Sequence, residues 1–185
     1  MHLVITMGGI AVLAVAAIVW GGRVFNRLLM LRTLKEEGWG ALGEKLARRH
    51  DLIDHLANAV KEPMRDERDA VDELARLRAL ARQASGVAAV AAAESGLEQG
   101  LGRLFGAMEN YPQIKTNKNI ADLLKSLKAL EEEIHLTRRY YNATVRDLNI
   151  AIQSFPSIII ARGFGFRESD LLELHPVAFR AAAPS

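Results

Sequence analysis

The longest uninterrupted apolar stretch of the chain comes first. Positions 3–20 contain no charged residue, and Gly21 and Gly22 extend the run to 20. At 1.5 Å per residue, about 20 apolar residues cross the roughly 30 Å hydrocarbon layer of a bilayer. The pattern therefore predicts a membrane-spanning helix that includes Leu3, Ile10, Leu13, Ile18 and Trp20. Beyond it the pattern turns amphipathic. No proline interrupts positions 23–61, and Trp39, Leu42, Leu46, Ile53, Leu56 and Val60 recur at spacings of three, four or seven, as one buried helical face requires. This predicts a long first helix continuous with the span. Gly38, Gly40 and Gly43 are where it would bend, since each glycine costs about 1 kcal/mol relative to alanine inside a helix.

Three further helices follow from the same periodicity. After Pro63, acidic Asp66, Glu67 and Asp69 suit a helix start, and Ala70, Leu74, Leu77 and Ala81 form a stripe. Positions 85–96 are small and poorly patterned and read as a connection, at most partly helical. Leu97, Leu101, Leu104, Met108 and Tyr111 mark a third helix stopped by Pro112. The fourth has the clearest stripe: Ile120, Leu123, Leu127, Leu130, Ile134, Tyr141, Val145, Leu148 and Ile152, with Asn117 or Asn119 as its cap. The expected fold is all-α, with the N-terminal transmembrane helix continuing into an antiparallel up-and-down four-helix bundle.

Lengths sharpen this expectation. Positions 23–61 make a helix of about 58 Å and positions 119–154 one of about 54 Å. In an up-and-down bundle the first helix leaves the membrane and the fourth returns to it. The apolar run FPSIIIA at 155–161 then comes back to the bilayer surface. Phe155, Ile158, Ile159 and Ile160 are candidates for a second membrane contact; the alternative is a tail folded onto the bundle itself. The chain divides into an anchor (1–22), a helical bundle (23–154) and an apolar return segment with a loosely ordered tail (155–185).

Charge adds an orientation. Only His2 and the free amine precede the apolar run, whereas Arg23, Arg27, Arg32 and Lys35 follow it. A cleaved signal peptide carries its basic residues before the apolar core, so an uncleaved anchor is expected. The positive-inside rule then places the N-terminus outside and the bundle in the cytoplasm. The chain has no cysteine, which excludes disulfides and thiolate chemistry. Its 24 basic residues against 22 acidic are interleaved rather than clustered, so no nucleic-acid interface is expected.

Catalytic patterns fail one by one. Glu132 and His135 form a single Glu-x-x-His, and a di-iron bundle needs two such motifs and two more glutamates. His50 and His55 stand about 140° apart round a helix, which prevents shared chelation. Gly100, Gly102 and Gly106 follow no strand and precede no Gly-Lys-Ser/Thr. No catalytic, cofactor-binding or metal residue is assigned, and no cofactor is expected. Polar residues do form stripes. Arg138, Asn142 and Asn149, with Tyr141 beside them, share one side of the fourth helix; Arg49, His50 and Asp54 cluster on the first. The expectation is one inter-helix hydrogen-bond layer joining the two sets and fixing register.

Several blocks together resemble the LemA family: RRHDLI at 48–53 with VK at 60–61, ENYPQIKTN at 109–117, RRYYN at 138–142, and RDLN…SFPS between 146 and 157. The resemblance covers the chain to about Phe166 and is specific as a set. It implies a bacterial membrane protein, in the inner membrane, with one transmembrane helix and a cytoplasmic helical bundle, and it brings no catalytic residues. The glycines around Trp39 depart from the better helix formers usual there. The functional expectation is a non-enzymatic membrane scaffold that assembles with copies of itself and organises or shapes the lipid bilayer. The alternative is a regulatory adaptor for another membrane protein, such as a protease or sensor.

Overall fold

The computed structural model describes residues 2–174, and side chains from residue 7 onward. Within them the secondary structure is entirely helical: α1 (His2–Val60), α2 (Arg68–Gln83), α3 (Val87–Met108), α4 (Pro112–Lys115), α5 (Lys118–Gln153) and α6 (Ser157–Gly163), with one 3-10 turn at Arg65–Glu67.

α1 is one unbroken helix from the apolar run to Val60. The glycines at 38, 40 and 43 do not interrupt it. Gly38 has a packing reason: a Cβ there would stand 3.3 Å from the ring of Tyr140, so glycine lets α5 lie close. Among the described residues this is the one helix long and apolar enough to cross a membrane, and its apolar window is wholly unburied. Ile10, Leu13 and Ile18 are exposed on it. The side chain of Leu3 lies outside the described residues.

α5 packs along α1 over most of its length. Contacts run in opposite numerical order: Gly38 meets Tyr140, Lys45 Nζ meets Glu133 Oε2 at 2.6 Å, and Ile53 shares a core with Ile120 and Leu127. Asn117 is the N-cap of α5, its side-chain oxygen accepting from the Ile120 N–H at 3.3 Å. α2 and α3 pack against each other so tightly at Gly100 that a Cβ there would come within 2.7 Å of Leu77 Cδ1. The largest core joins these helices through Leu56, Leu74, Leu97, Leu101 and Leu104.

Three segments differ from the sequence expectation. α3 begins at Val87, not at Leu97. The alanines of this stretch favour helix, and its buried face carries Val90, Glu94, Leu97, Glu98 and Leu101. Two glutamates on that face interrupt the apolar stripe that would have marked it. In α2 the buried position is Val71 rather than Ala70, one residue along. The chain beyond Arg162 is also not loose as far as Leu174: Leu172 and Leu174 are buried in a core with Leu42, Leu46, Ile134 and Val145. Residues 175–185 lie outside the described region.

Candidate functional site

Three constellations carry the unusual chemistry. The first lies at the root of the anchor. The chain returns there after α5, and α6 buries Ala161 against Leu28, Leu31, Leu148 and Ile152. Ile160 Cδ1 lies 3.6 Å from where a Cβ on Gly21 would be. Phe164 and Phe166 both pack on Phe25, the first tilted and the second edge-on, with ring centroids at 4.8 and 5.9 Å. The remaining apolar side chains point outward: Phe155 is 82% exposed, Ile159 61% and Phe164 65%. Ile158 and Ile160 are half-buried. Trp20 and exposed Arg23, Arg27 and Arg162 border this patch along the sequence of α1 and α6. The 155–161 run, to which the sequence leaves open both a membrane contact and a tail folded onto the bundle, packs on Leu28, Leu31, Leu148 and Ile152 at the end of the bundle and reaches Gly21 through Ile160, with Phe155 and Ile159 exposed.

The second is a buried charge cluster three turns before the C-terminal end of α1. Arg49 is fully buried, with 0% of its surface exposed. Its guanidinium pairs with Glu94, with Glu131 at 3.0 Å and with Glu98 at 3.7 Å. His50 Nε2 shares a 2.7 Å hydrogen bond with Glu94 Oε1. One guanidinium thus faces three carboxylates from two other helices. Burial alone would lower the Arg49 pKa, but Glu94 and Glu131, then Glu98, more than reverse this and hold it above its ordinary value. Burial pushes Glu94 up, while the His50 hydrogen bond and the Arg49 charge outweigh it, leaving that carboxyl below the usual range. Glu98 goes the other way. Its burial dominates, Arg49 offsets only part, and the neighbouring Glu131 and Glu94 add to the rise, to about 7.

The third is a clamp on the C-terminal segment. Asn149 donates to the Ser169 carbonyl at 2.9 Å and accepts from the Ser169 N–H at 3.0 Å. Asn142 treats Leu172 the same way, at 2.9 and 2.8 Å. The Tyr141 hydroxyl donates to the Asp170 carbonyl at 3.1 Å, and Arg138 to the Leu174 carbonyl.

The single polar layer expected from the sequence is therefore two separate devices. Arg49 and His50 meet glutamates, Asp54 pairs with Arg78 at 2.9 Å, and Arg138, Tyr141, Asn142 and Asn149 hold backbone. The two stripes do not bond to each other. Sequence reasoning missed Glu94, Glu98 and Glu131. A signal existed for the first two, which are the only charges between Val87 and Arg103 and stand four apart. Glu132 is exposed, and His135 bonds Arg138 through Nδ1 at 3.1 Å. No group of three or more His, Cys, Asp or Glu placed to hold a metal occurs among the described residues.

The LemA family model matches residues 38–184. The chain belongs to the LemA family. Its similarity to curated proteins is more limited. It is 31% identical over 88 residues to Magnetosome protein MamQ 2 and to Magnetosome protein MamQ 1 of Paramagnetospirillum magneticum. It is 28% identical over 88 residues to Magnetosome protein MamQ of Magnetospirillum gryphiswaldense. Each match covers 48% of this chain and 32% of the relative, so the LemA chain here spans about a third of the curated relatives it matches. With its apolar N-terminal helix, it is a membrane-associated LemA-family protein.

The clamp yields a direct test. Asn142→Ala strips both partners from the Leu172 peptide group, and an intramolecular hydrogen bond is worth about 1 kcal/mol net. The expected result is a stability loss of about 1–2 kcal/mol, with faster amide exchange confined to residues 167–174. Unchanged exchange in that segment would mean that Asn142 does not hold it.

Proposed function

We propose that this LemA-family protein is a non-enzymatic, single-pass membrane scaffold that self-assembles and shapes the bilayer from its cytoplasmic face. The observation that carries the reading is the return of α6 to the anchor root with Phe155, Ile159 and Phe164 left uncovered. A cluster of exposed large apolar side chains beside a membrane-spanning helix marks a contact with lipid or protein. A short apolar segment seated in one leaflet beside the anchor adds volume to that leaflet alone, which favours curvature. The arginines at positions 23, 27 and 162 suit anionic headgroups. The opposed order of contacts along α1 and α5 supports an antiparallel up-and-down bundle standing on the anchor. The excess of basic residues after the apolar run supports a bacterial inner-membrane setting with the N-terminus outside and the bundle on the cytoplasmic side. The matched relatives are magnetosome proteins, which supports a membrane setting without fixing the role.

The test is reconstitution of the full chain into anionic vesicles, followed by imaging and by size measurement of protein extracted with its lipids. Discrete multi-copy assemblies and deformed vesicles are expected. Phe155→Asp with Ile159→Asp should abolish deformation while leaving helix content unchanged, because both side chains are exposed. A strict monomer on undeformed vesicles overturns the scaffold. Stoichiometric capture of one different membrane protein in a crosslinked pull-down would replace it with the adaptor role.

A further inference from the structure

Beside the anchor root, α1 and α6 border an apolar groove of about 550 Å³. Its floor is α1, where Ala17, Gly21 and Gly22 carry little or no side chain. Its wall is Ile160 of α6, with Phe164 just past the end of that helix. Every residue lining the groove is apolar. The two glycines shape it differently. A Cβ on Gly21 would stand 3.6 Å from Ile160 Cδ1, so Gly21 sits where the helices touch. A Cβ on Gly22 would meet nothing within 4 Å, so Gly22 faces the open part of the groove.

The position of the groove on the membrane-spanning helix points to its occupant. Ala17 and Ile18 belong to the uncharged run at positions 3–20, whereas Phe25, at the other end, lies between Arg23 and Arg27. Trp20, a residue type favoured at the membrane–water interface, falls between the two ends. The groove thus runs about 12 Å along α1, from Ala17 to Phe25, and crosses from the hydrocarbon layer to the headgroup level. Its lower end is continuous with the bare surface of the span, where Ile18 is 74% exposed. Water is a poor occupant of a slot that offers it no polar partner. An acyl chain is apolar, flexible and abundant at that depth. Charge at the rim narrows the choice. No acidic residue occurs at positions 1–35 or 148–167, the two segments that meet at the anchor root, whereas Arg23, Arg27, Arg162 and Arg167 do. All four are exposed. Basic clusters beside an apolar slot at the cytoplasmic surface suit anionic lipid headgroups.

We propose that the groove between α1 and α6 is a binding site for one anionic phospholipid, with an acyl chain along Gly21 and Gly22 and the phosphate among Arg23, Arg27 and Arg162. The inference deepens the membrane reading of α6 and rests on it. A lipid bound there covers apolar surface that the chain itself leaves bare. The seating of α6 on the anchor root then depends on the anionic lipid content of the leaflet.

Trp20 is the reporter, since it stands within one turn of Ala17, Gly21 and Gly22. Full-length protein is reconstituted in phosphatidylcholine vesicles holding a small fraction of phosphatidylglycerol with brominated acyl chains. Matched vesicles keep the same lipid proportions but carry the bromine on an equal fraction of phosphatidylcholine. Trp39, about 28 Å further along α1 and packed on Tyr141, supplies a constant background. Brominated phosphatidylglycerol is expected to quench Trp20 several-fold more than brominated phosphatidylcholine. Gly22→Leu fills the groove where nothing obstructs it and should remove that preference with helix content unchanged. Phe164→Ala, which takes away the wall at an exposed position, should remove it too. Equal quenching by the two lipids overturns the site. So does a preference undiminished in both variants, since that is attraction to the arginines alone. Rapid disulfide dimerisation of a Gly22→Cys chain, with no preference between the lipids, would give the groove to a neighbouring anchor instead. The scaffold is judged separately, by vesicle deformation. Its absence in a wild type that keeps the lipid preference removes the scaffold and leaves the site; its presence without the preference does the reverse.

Discussion

Arg49→Met is expected to destabilise the helical domain by about 3–5 kcal/mol at neutral pH, the usual cost of removing one partner from a buried ion pair. The substitution is close in volume, so the loss is electrostatic rather than a cavity. It removes the only guanidinium among Glu94, Glu98 and Glu131, and leaves three carboxylates in an interior where isolated charge is poorly solvated. For a chain of this size the thermal midpoint should drop by roughly 10 °C, measured by helix loss in a mild detergent. Two controls separate this from simple mispacking. The deficit should shrink as pH falls, because protonating the stranded carboxyls removes their charge. It should also shrink when Glu94, Glu98 and Glu131 are changed to Gln in the Arg49→Met background, since replacing a whole buried ionic group is often near neutral. A variant equally unstable at all pH values, with no recovery from the glutamine changes, would show that Arg49 matters by shape alone.

The same cluster explains what could and could not be read from the sequence. α1 and α5 were legible because their buried stripes are apolar almost without exception, and a 3.6-residue period over ten turns leaves little ambiguity. The start of α3 was not legible, because Glu94 and Glu98 occupy buried positions and alanines fill the rest. Patterning assumes that charge faces water; a residue buried because it answers Arg49 across the core breaks that assumption from both sides. Arg49 and His50 could be singled out, but not their partners, since Asn142 and Asn149 formed a polar stripe equally suited to receive them. Glu131 is hidden in a run of three glutamates and is identified only by its register with Leu127, Leu130 and Ile134. The ordered tail was illegible for another reason. Apart from Ser169 Oγ, its hydrogen bonds use backbone, so its own side chains carry little pattern beyond two leucines. For 155–161, matched helix lengths placed the run near the anchor-proximal end of the bundle, where it packs on Leu28, Leu31, Leu148 and Ile152, but could not choose between lipid and the bundle as its partner.

Glu98→Gln is expected to stabilise the protein at pH 8 and to leave it nearly unchanged at pH 5. The Glu98 carboxyl is pushed up to about 7 by burial, against 4.5 for the ordinary group. Between these values the folded chain holds a proton that the unfolded chain has released. Stability therefore falls as pH rises from about 4.5 to 7, and levels off above that. At about 1.4 kcal/mol per unit, the window corresponds to about 3 kcal/mol. Glu94 works in the opposite sense, since its lowered pKa contributes stability above 4.5 that is lost only in stronger acid. The two effects occupy different pH ranges and can be separated. Glutamine at 98 mimics the protonated acid, keeps a donor toward the other carboxylates and cannot ionise. Urea titrations at pH 5, 6, 7 and 8 should show wild-type stability declining across the series and the variant nearly flat. A parallel decline in both proteins would remove Glu98 as the group that titrates. Because Glu98 lies on α3 and faces Arg49 of α1 and Glu131 of α5, its proton couples the packing of three helices, one of which also carries the membrane-spanning run. Near neutral pH the grip of α3 on the anchor-bearing helix should therefore vary with proton concentration, and amide exchange in α3 should quicken between pH 6 and 8 beyond its intrinsic base catalysis in wild type but not in Glu98→Gln.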